Sequence, residues 1–251
     1  MARAMGRAMS GKGMMAAALL AVLVAVPAGA EGIYEATVVV TGRDNLPERE
    51  RGFRQALELV LVKASLDEEA ARLAAKDGLL EEPQILVSDY SYRDRKEGIP
   101  ISDEQGTRDR SFELTVRFSP PAIDDLLLNG ANIAPWHGER PEIGAVLTID
   151  DGASSYVLTQ VSEKDHGKRL AVEDAAKELG LAVLLPRDEH DALDRMARID
   201  GTMAITASGD WDSDWKMSGK GGEERLALKG TTFAAAIRKA LFGIAPVLVE
   251  P

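Results

Sequence analysis

Cysteine is absent from this sequence, and that gap excludes disulfides, thiolate metal sites and cysteine nucleophiles. It also excludes a lipid anchor of the bacterial pattern, which is built on a cysteine. Histidine is scarce, with three residues, His137, His166 and His190, and aromatics make up 5% of the chain. Basic residues are outnumbered, 30 Lys and Arg against 41 Asp and Glu. Nucleic-acid binding rests on basic clusters that release counterions from phosphates, so no nucleic-acid partner is expected. Beyond the N-terminus no apolar run approaches the about 20 residues of a spanning helix, and no membrane span is expected after processing.

What is present begins with an address. Arg3, Arg7 and Lys12 precede the apolar run Met14 to Val26, "MMAAALLAVLVAV", and then "PAGA". A charged start, a short apolar core and an Ala28-x-Ala30 site form a secretory signal peptide, so residues 1–30 are expected to be removed and the remainder delivered to the periplasm. No paired arginines precede the run, which points to general secretion. Losing three bases takes the formal charge from −11 to about −14.

Periodicity orders the rest. Tyr34, Ala36, Val38 and Val40 alternate along a strand. Leu46-Pro47 opens a helix with an apolar stripe at Phe53, Ala56, Leu57, Val60, Leu61 and Ala64. A second helix, "DEEAARLAAKD", stops at Gly78. "ILVSDYSYRDR" and "SFELTVRFS" read as strands around a polar loop from Lys96 to Arg110, and Pro120-Pro121 starts a short helix ending at Asn129-Gly130. Residues 131–141, "ANIAPWHGERP", carry prolines, a glycine and no period. They are taken as a linker between an N-terminal domain, residues 31–130, and a C-terminal domain, residues 142–245, with 246–251 as a tail. The second half is predicted to hold strands at 143–149 and 156–161, a helix at 168–179, the apolar run "LAVLLP", a helix from Asp188, a hairpin, a strand at 223–229 and a helix at 231–242. Strands and helices interleave with short turns, so the expected fold is α+β, with helices packed on mixed or antiparallel sheets.

The polar clusters match few of the motifs that carry chemistry. "GDWDSDW", residues 209–215, fails as a calcium loop because position 6 is Trp215 and position 12 is Gly221. It reads better as a hairpin turning at Asp212-Ser213-Asp214, with Trp211 facing Trp215 as a cross-strand pair. "RDEHDALD" sets His190 and Asp194 four apart, but a divalent metal needs more ligands than these, and an acidic helix start with Asp188 as cap accounts for them. "WHGERP" places Trp136, His137 and Glu139 together, a conceivable acid/base group. There is no Gly-x-Ser-x-Gly elbow, and "SGKG" at 218–221 lacks the glycine and Ser/Thr of a phosphate loop. No catalytic residue, metal site or cofactor is expected. Tyr90 and Tyr92 are assigned to packing.

Several motifs, taken in order, resemble an exported bacterial family known as domain of unknown function 2066. They are "YEATVVV", "ALELVLVKAS", "YSY", "LTVRFSPPAIDDLL" leading into "PWHGERP", "AAKELGLAVLLPRDEHD" and "GDWDSDWKM". The resemblance implies an envelope protein and carries no activity or site residues. The preferred expectation is a non-catalytic interaction or scaffold module of the envelope, with envelope proteins as partners. Its candidate contacts are Trp136, His137, Glu139, Trp211 and Trp215. The alternative is a periplasmic hydrolase or ligand-binding protein with a site between the domains near His137, Glu139 and His190. Carbohydrate stacking on Trp211 and Trp215 is a third reading.

Overall fold

The computed structural model describes residues 32–97, 110–161, 165–191, 193, 195 and 197–248. The expected signal peptide, most of the polar loop before Arg110, Asp194 and residues 249–251 lie outside them. The fold is α+β, with one antiparallel and one mixed sheet.

In the first half, β1 (Glu35–Thr41), β2 (Val87–Asp94) and β3 (Ser111–Phe118) form an antiparallel sheet in the order β1-β3-β2. Its inner face carries Ala36, Val38, Val40, Leu114, Val116 and Phe118, all buried. Helix α1 (Leu46–Ser65) lies across it, with Phe53, Ala56, Leu57, Val60 and Leu61 against the strands. Asn45 caps the helix by accepting from the Glu48 N–H, and Pro47 stands in the first turn. Each fully buried leucine contributes roughly 2 kcal/mol of transfer free energy. Helices α2 (Ala70–Lys76) and α3 (Pro120–Asp125), the latter continued by a π turn at Leu126–Gly130, close the core.

The irregular run 131–141 leads into β4 (Glu142–Asp150). The larger sheet follows the order β5-β4-β7-β8-β9, with β5 (Ser155–Val157), β7 (Ala197–Ile205), β8 (Trp211–Gly219) and β9 (Gly222–Thr231). The short β6 (Ala182–Leu184) pairs parallel to the start of β4, and β7 is also parallel to β4. Helices α4 (His166–Leu179) and α5 (Phe233–Phe242) contribute Val172, Ala176, Leu179, Ile237 and Leu241 to a core with Ile143, Leu147, Ile149, Ile199, Met203, Trp215 and Met217. Thr232 caps α5 by accepting from the Ala235 N–H. The last described turn, α6 (Ala245–Leu248), buries Val247 and Leu248 in the same core. Val62 and Leu66, at the end of α1, belong to this second core, so one helix serves both halves.

Two local expectations are corrected. The hairpin turns at Thr206–Asp210, closed by the Thr206 N–H to the Asp210 carbonyl (2.7 Å) with Gly209 at φ 88°. Asp212-Ser213-Asp214 instead lies within β8, so Trp211 faces Ile205 and Trp215 faces Gly201. Ser213 is 1% exposed and accepts from the Trp215 Nε1–H (2.8 Å), which lets a serine alternate inward between the two tryptophans. At 187–191 there is a turn in place of a helix. Asp188 accepts from the His190 N–H, and Asp191 from the N–H groups of Arg187 and Leu193. These local bonds from Asp side chains satisfy the backbone outside a helix.

Candidate partner-binding cleft at the junction

The residues between the halves are tied to the ends of two helices. At the C-terminus of α1 the carbonyls of Leu61 to Ala64 all find donors. Ser65 Oγ donates to Leu61, the Leu66 N–H to Val62, Arg140 Nη2 to Lys63 (2.6 Å) and the Trp136 N–H to Ala64 (2.7 Å). Arg140 Nη1 also donates to the carbonyl of Leu179, the last residue of α4 (2.6 Å). One guanidinium therefore caps two helix C-termini, where a cation is favoured by both macrodipoles. Burial pulls the Arg140 guanidinium down to about 10, opposed by the charge of Tyr34. Lys63, 8% exposed, donates to the carbonyls of Gly32 (3.0 Å) and Glu35 (2.8 Å), and burial lowers its pKa too.

Beside this clamp opens a cleft of about 600 Å³. Leu66, Ile133, Trp136, Phe242, Ala245 and Pro246 supply its apolar lining, and Asp67 and Glu68 its acidic rim. Glu68 bonds Lys239 of α5 (2.6 Å) across the junction. Among the described residues three non-glycine positions have positive φ, and two of them, Leu66 (54°) and Asn132 (55°), line this cleft. Left-handed backbone is costly for leucine. Here the Leu66 N–H closes α1 and the side chain is 6% exposed, so the surroundings impose the conformation.

The remaining sequence-derived candidates scatter around this cleft. Trp136 lines it, and its Nε1–H donates to the Gly138 carbonyl (3.1 Å). The His137 side chain stands 64% exposed with Nε2 3.6 Å from Asp124 Oδ2. Glu139 reaches Lys220 Nζ at 3.4 Å. His190 sits in the Arg187–Asp191 turn, beside a different cleft of about 410 Å³ that shares no lining residue with the junction. Trp215 is 3% exposed and offers no face to a ligand. Trp211 is half-buried, edge-on to Phe233 at 5.4 Å.

One charged group escaped the sequence reading. Asp165, 2% exposed, accepts from Tyr156 Oη (2.7 Å) and Lys168 Nζ (2.9 Å), and Lys168 also donates to Tyr156 Oη (3.1 Å). Asp165 and Lys168 are three apart at a helix start and legible as a pair. Tyr156 joins through tertiary folding alone. Its hydroxyl is held above the ordinary tyrosine range, chiefly by burial and then by the bond to Asp165, so it is no base at neutral pH. Among the described residues no group of three or more His, Asp or Glu is placed to hold a metal.

Tyr34 gives a titration that reports on the junction. Burial, the bond it donates to Asp124 Oδ1 (2.9 Å) and that carboxylate's charge push it up to about 12, with Arg140 opposing. The folded state therefore favours the neutral phenol. This contribution to stability is complete below about 10, the unfolded value, and is lost as pH rises from there through about 12. Absorbance at 295 nm should show a tyrosinate step near pH 12 that the Tyr34→Phe variant lacks.

Comparison with known proteins adds one finding and removes one. A family described as "Domain of unknown function (DUF8605)" matches residues 28–137, from before β1 to the histidine beside the cleft. This overturns the resemblance to domain of unknown function 2066. Its motifs were short helix and strand patterns that many folds share, and their order alone did not specify a family. No curated protein and no solved structure matches the chain.

Proposed function

We propose that this is a non-catalytic interaction module of the cell envelope, exported to the periplasm, whose partner protein seats an apolar segment in the junction cleft. The observation that carries the reading is the cleft itself. It is an apolar recess of about 600 Å³ walled by two residues in left-handed backbone and fixed by a guanidinium that ties two helix ends. Concave apolar sites with a few placed polar groups are where binding energy concentrates. Asp67 and Glu68 on the rim favour a segment flanked by lysine or arginine. The N-terminal "MMAAALLAVLVAV" and Ala28-x-Ala30 pattern supports export, and among the described residues no helix is long and apolar enough to cross a membrane.

Mild cross-linking in the intact envelope followed by affinity capture tests this. The wild-type chain should yield a discrete adduct, reduced at least tenfold by Ala134→Arg, which fills the mouth of the cleft from an exposed position. An adduct of equal yield from that variant, with an unchanged circular dichroism spectrum, would exclude the cleft as the seat.

A further inference from the structure

The two tryptophans of "GDWDSDW" take different places in the fold. Trp215 is sealed in the core, while Trp211 opens β8 at the margin of the sheet, opposite Ile205 on one side and Thr231 on the other. The indole N–H groups of Trp136 and Trp215 are accepted by the Gly138 carbonyl and by Ser213 Oγ. That of Trp211 meets no acceptor among the described residues. A half-buried indole with its one donor unspent is suited to a ligand from outside the fold.

Trp211 forms one wall of a cavity of about 340 Å³ beside the starts of α4 and α5. Phe233 forms a second wall, its ring 5.4 Å from the indole and turned by 75°, so the two make a corner and not a stack. Gly167, Ala171 and Ala234 bring nothing longer than a methyl to the lining. The polar side is Lys168 with Asp165, the latter 2% exposed. Lys168 Nζ donates to Asp165 Oδ1 (2.9 Å) and to Tyr156 Oη (3.1 Å) and lies 5.8 Å from the centre of the Tyr156 ring. These contacts fix the ammonium and cancel its charge. Of its three N–H groups, one is left without an acceptor among the described residues.

The lining thus combines an aromatic corner, a fixed donor and no net charge. An anion gains little beside Asp165, and a wholly apolar ligand would cover the open donor without satisfying it. We infer that this cavity binds a single neutral N-acetylated sugar ring. The acetamido carbonyl accepts from Lys168, its methyl lies against Ala171 and Ala234, and the C–H face of the ring rests on the corner of Trp211 and Phe233. The volume stands at the small end of ligand pockets, which suits one ring of a glycan and not a long stretch of it. An exported chain would meet such rings in envelope glycans, and that step alone rests on the export reading. The cavity shares no lining residue with the junction cleft, so a failed sugar titration leaves the partner reading standing.

Ligand-observed NMR titration of the purified protein with N-acetylglucosamine reads the result. Binding should fall in the millimolar range, with the acetyl methyl receiving the strongest saturation transfer. Glucose, which lacks the acetamido group, should bind at least about fivefold more weakly, and Lys168→Met should remove that preference. Trp211→Ala should weaken binding about tenfold or more, whereas Trp211→Phe keeps an aromatic wall and should stay within about fivefold of wild type. Ala234→Gln, from an exposed position in the first turn of α5, should fill the cavity and also cost about tenfold. No saturation transfer at about 50 mM N-acetylglucosamine, equal affinity for glucose, or undiminished binding by Ala234→Gln with an unchanged melting curve would each overturn the inference.

Discussion

Arg140→Met lowers the unfolding free energy by about 3 kcal/mol and lets the two halves melt apart. The guanidinium donates to the Lys63 and Leu179 carbonyls at 2.6 Å each, and a hydrogen bond from a charged donor contributes about 1.5–3 kcal/mol. Their sum is offset in part. The buried Nε has no partner among the described residues, and Lys63 lies close enough for Arg140 to lower its pKa, so methionine relieves both desolvation and repulsion. Two helix-terminal carbonyls left dry decide the sign. Arg140→Lys should recover less than half of the loss, because an ammonium lacks the planar fork that reaches both helices. Urea unfolding followed by far-ultraviolet circular dichroism and by tryptophan fluorescence checks this. The wild type should give coincident curves and Arg140→Met separated ones, since the three tryptophans, at 136, 211 and 215, lie at or beyond the junction.

Gly201→Ala costs about 3 kcal/mol, far more than one methyl on a strand ordinarily does. Gly201 faces Trp215 across β7 and β8. A Cβ at this glycine would fall 2.4 Å from Trp215 Cζ3 and 2.6 Å from Cε3, with Leu147 Cδ2 at 3.1 Å. The indole fills the space of the missing side chain, and it cannot withdraw. It is 3% exposed, and its N–H is held by Ser213 Oγ at 2.8 Å. Trp215→Leu alone opens a cavity and should also cost about 3 kcal/mol. The double variant should cost at least 1 kcal/mol less than the sum. Additive losses would show that the glycine and the ring do not share one space.

The fold was legible where one period dominates. The alternation of Tyr34, Ala36, Val38 and Val40 and the stripe from Phe53 to Ala64 both face the first core, because a half-buried strand and an amphipathic helix each write their burial into the sequence. The stretch around Trp211 misled for a physical reason. Aspartates at 212 and 214 look like a turn, yet Asp212 faces Lys229 at 3.2 Å and accepts from the Gly230 N–H (2.9 Å), so acids on the outer face of a central strand are satisfied by its neighbour. Asp188 and Asp191 misled in the opposite direction, since a helix cap and an Asx turn draw on the same residues.

Less of the candidate site could be read. Trp136 was legible as an aromatic in an irregular segment. Its anchoring to Ala64 and the double capping by Arg140 are tertiary hydrogen bonds with no local signal. Asn132 is of a residue type that tolerates left-handed backbone, but nothing in a leucine announces it at Leu66, and Phe242 and Pro246 reach the cleft only because the last helices fold back over the junction.

The most direct measurement is site-specific photo-cross-linking in the intact envelope, with the reactive side chain placed at Ala134 in the cleft and, in a second variant, at Ile85, which is 72% exposed and outside the cleft lining. A partner seated in the junction predicts one discrete adduct from position 134 and none from position 85. The same adducts from both positions, or adducts from position 85 alone, would contradict it.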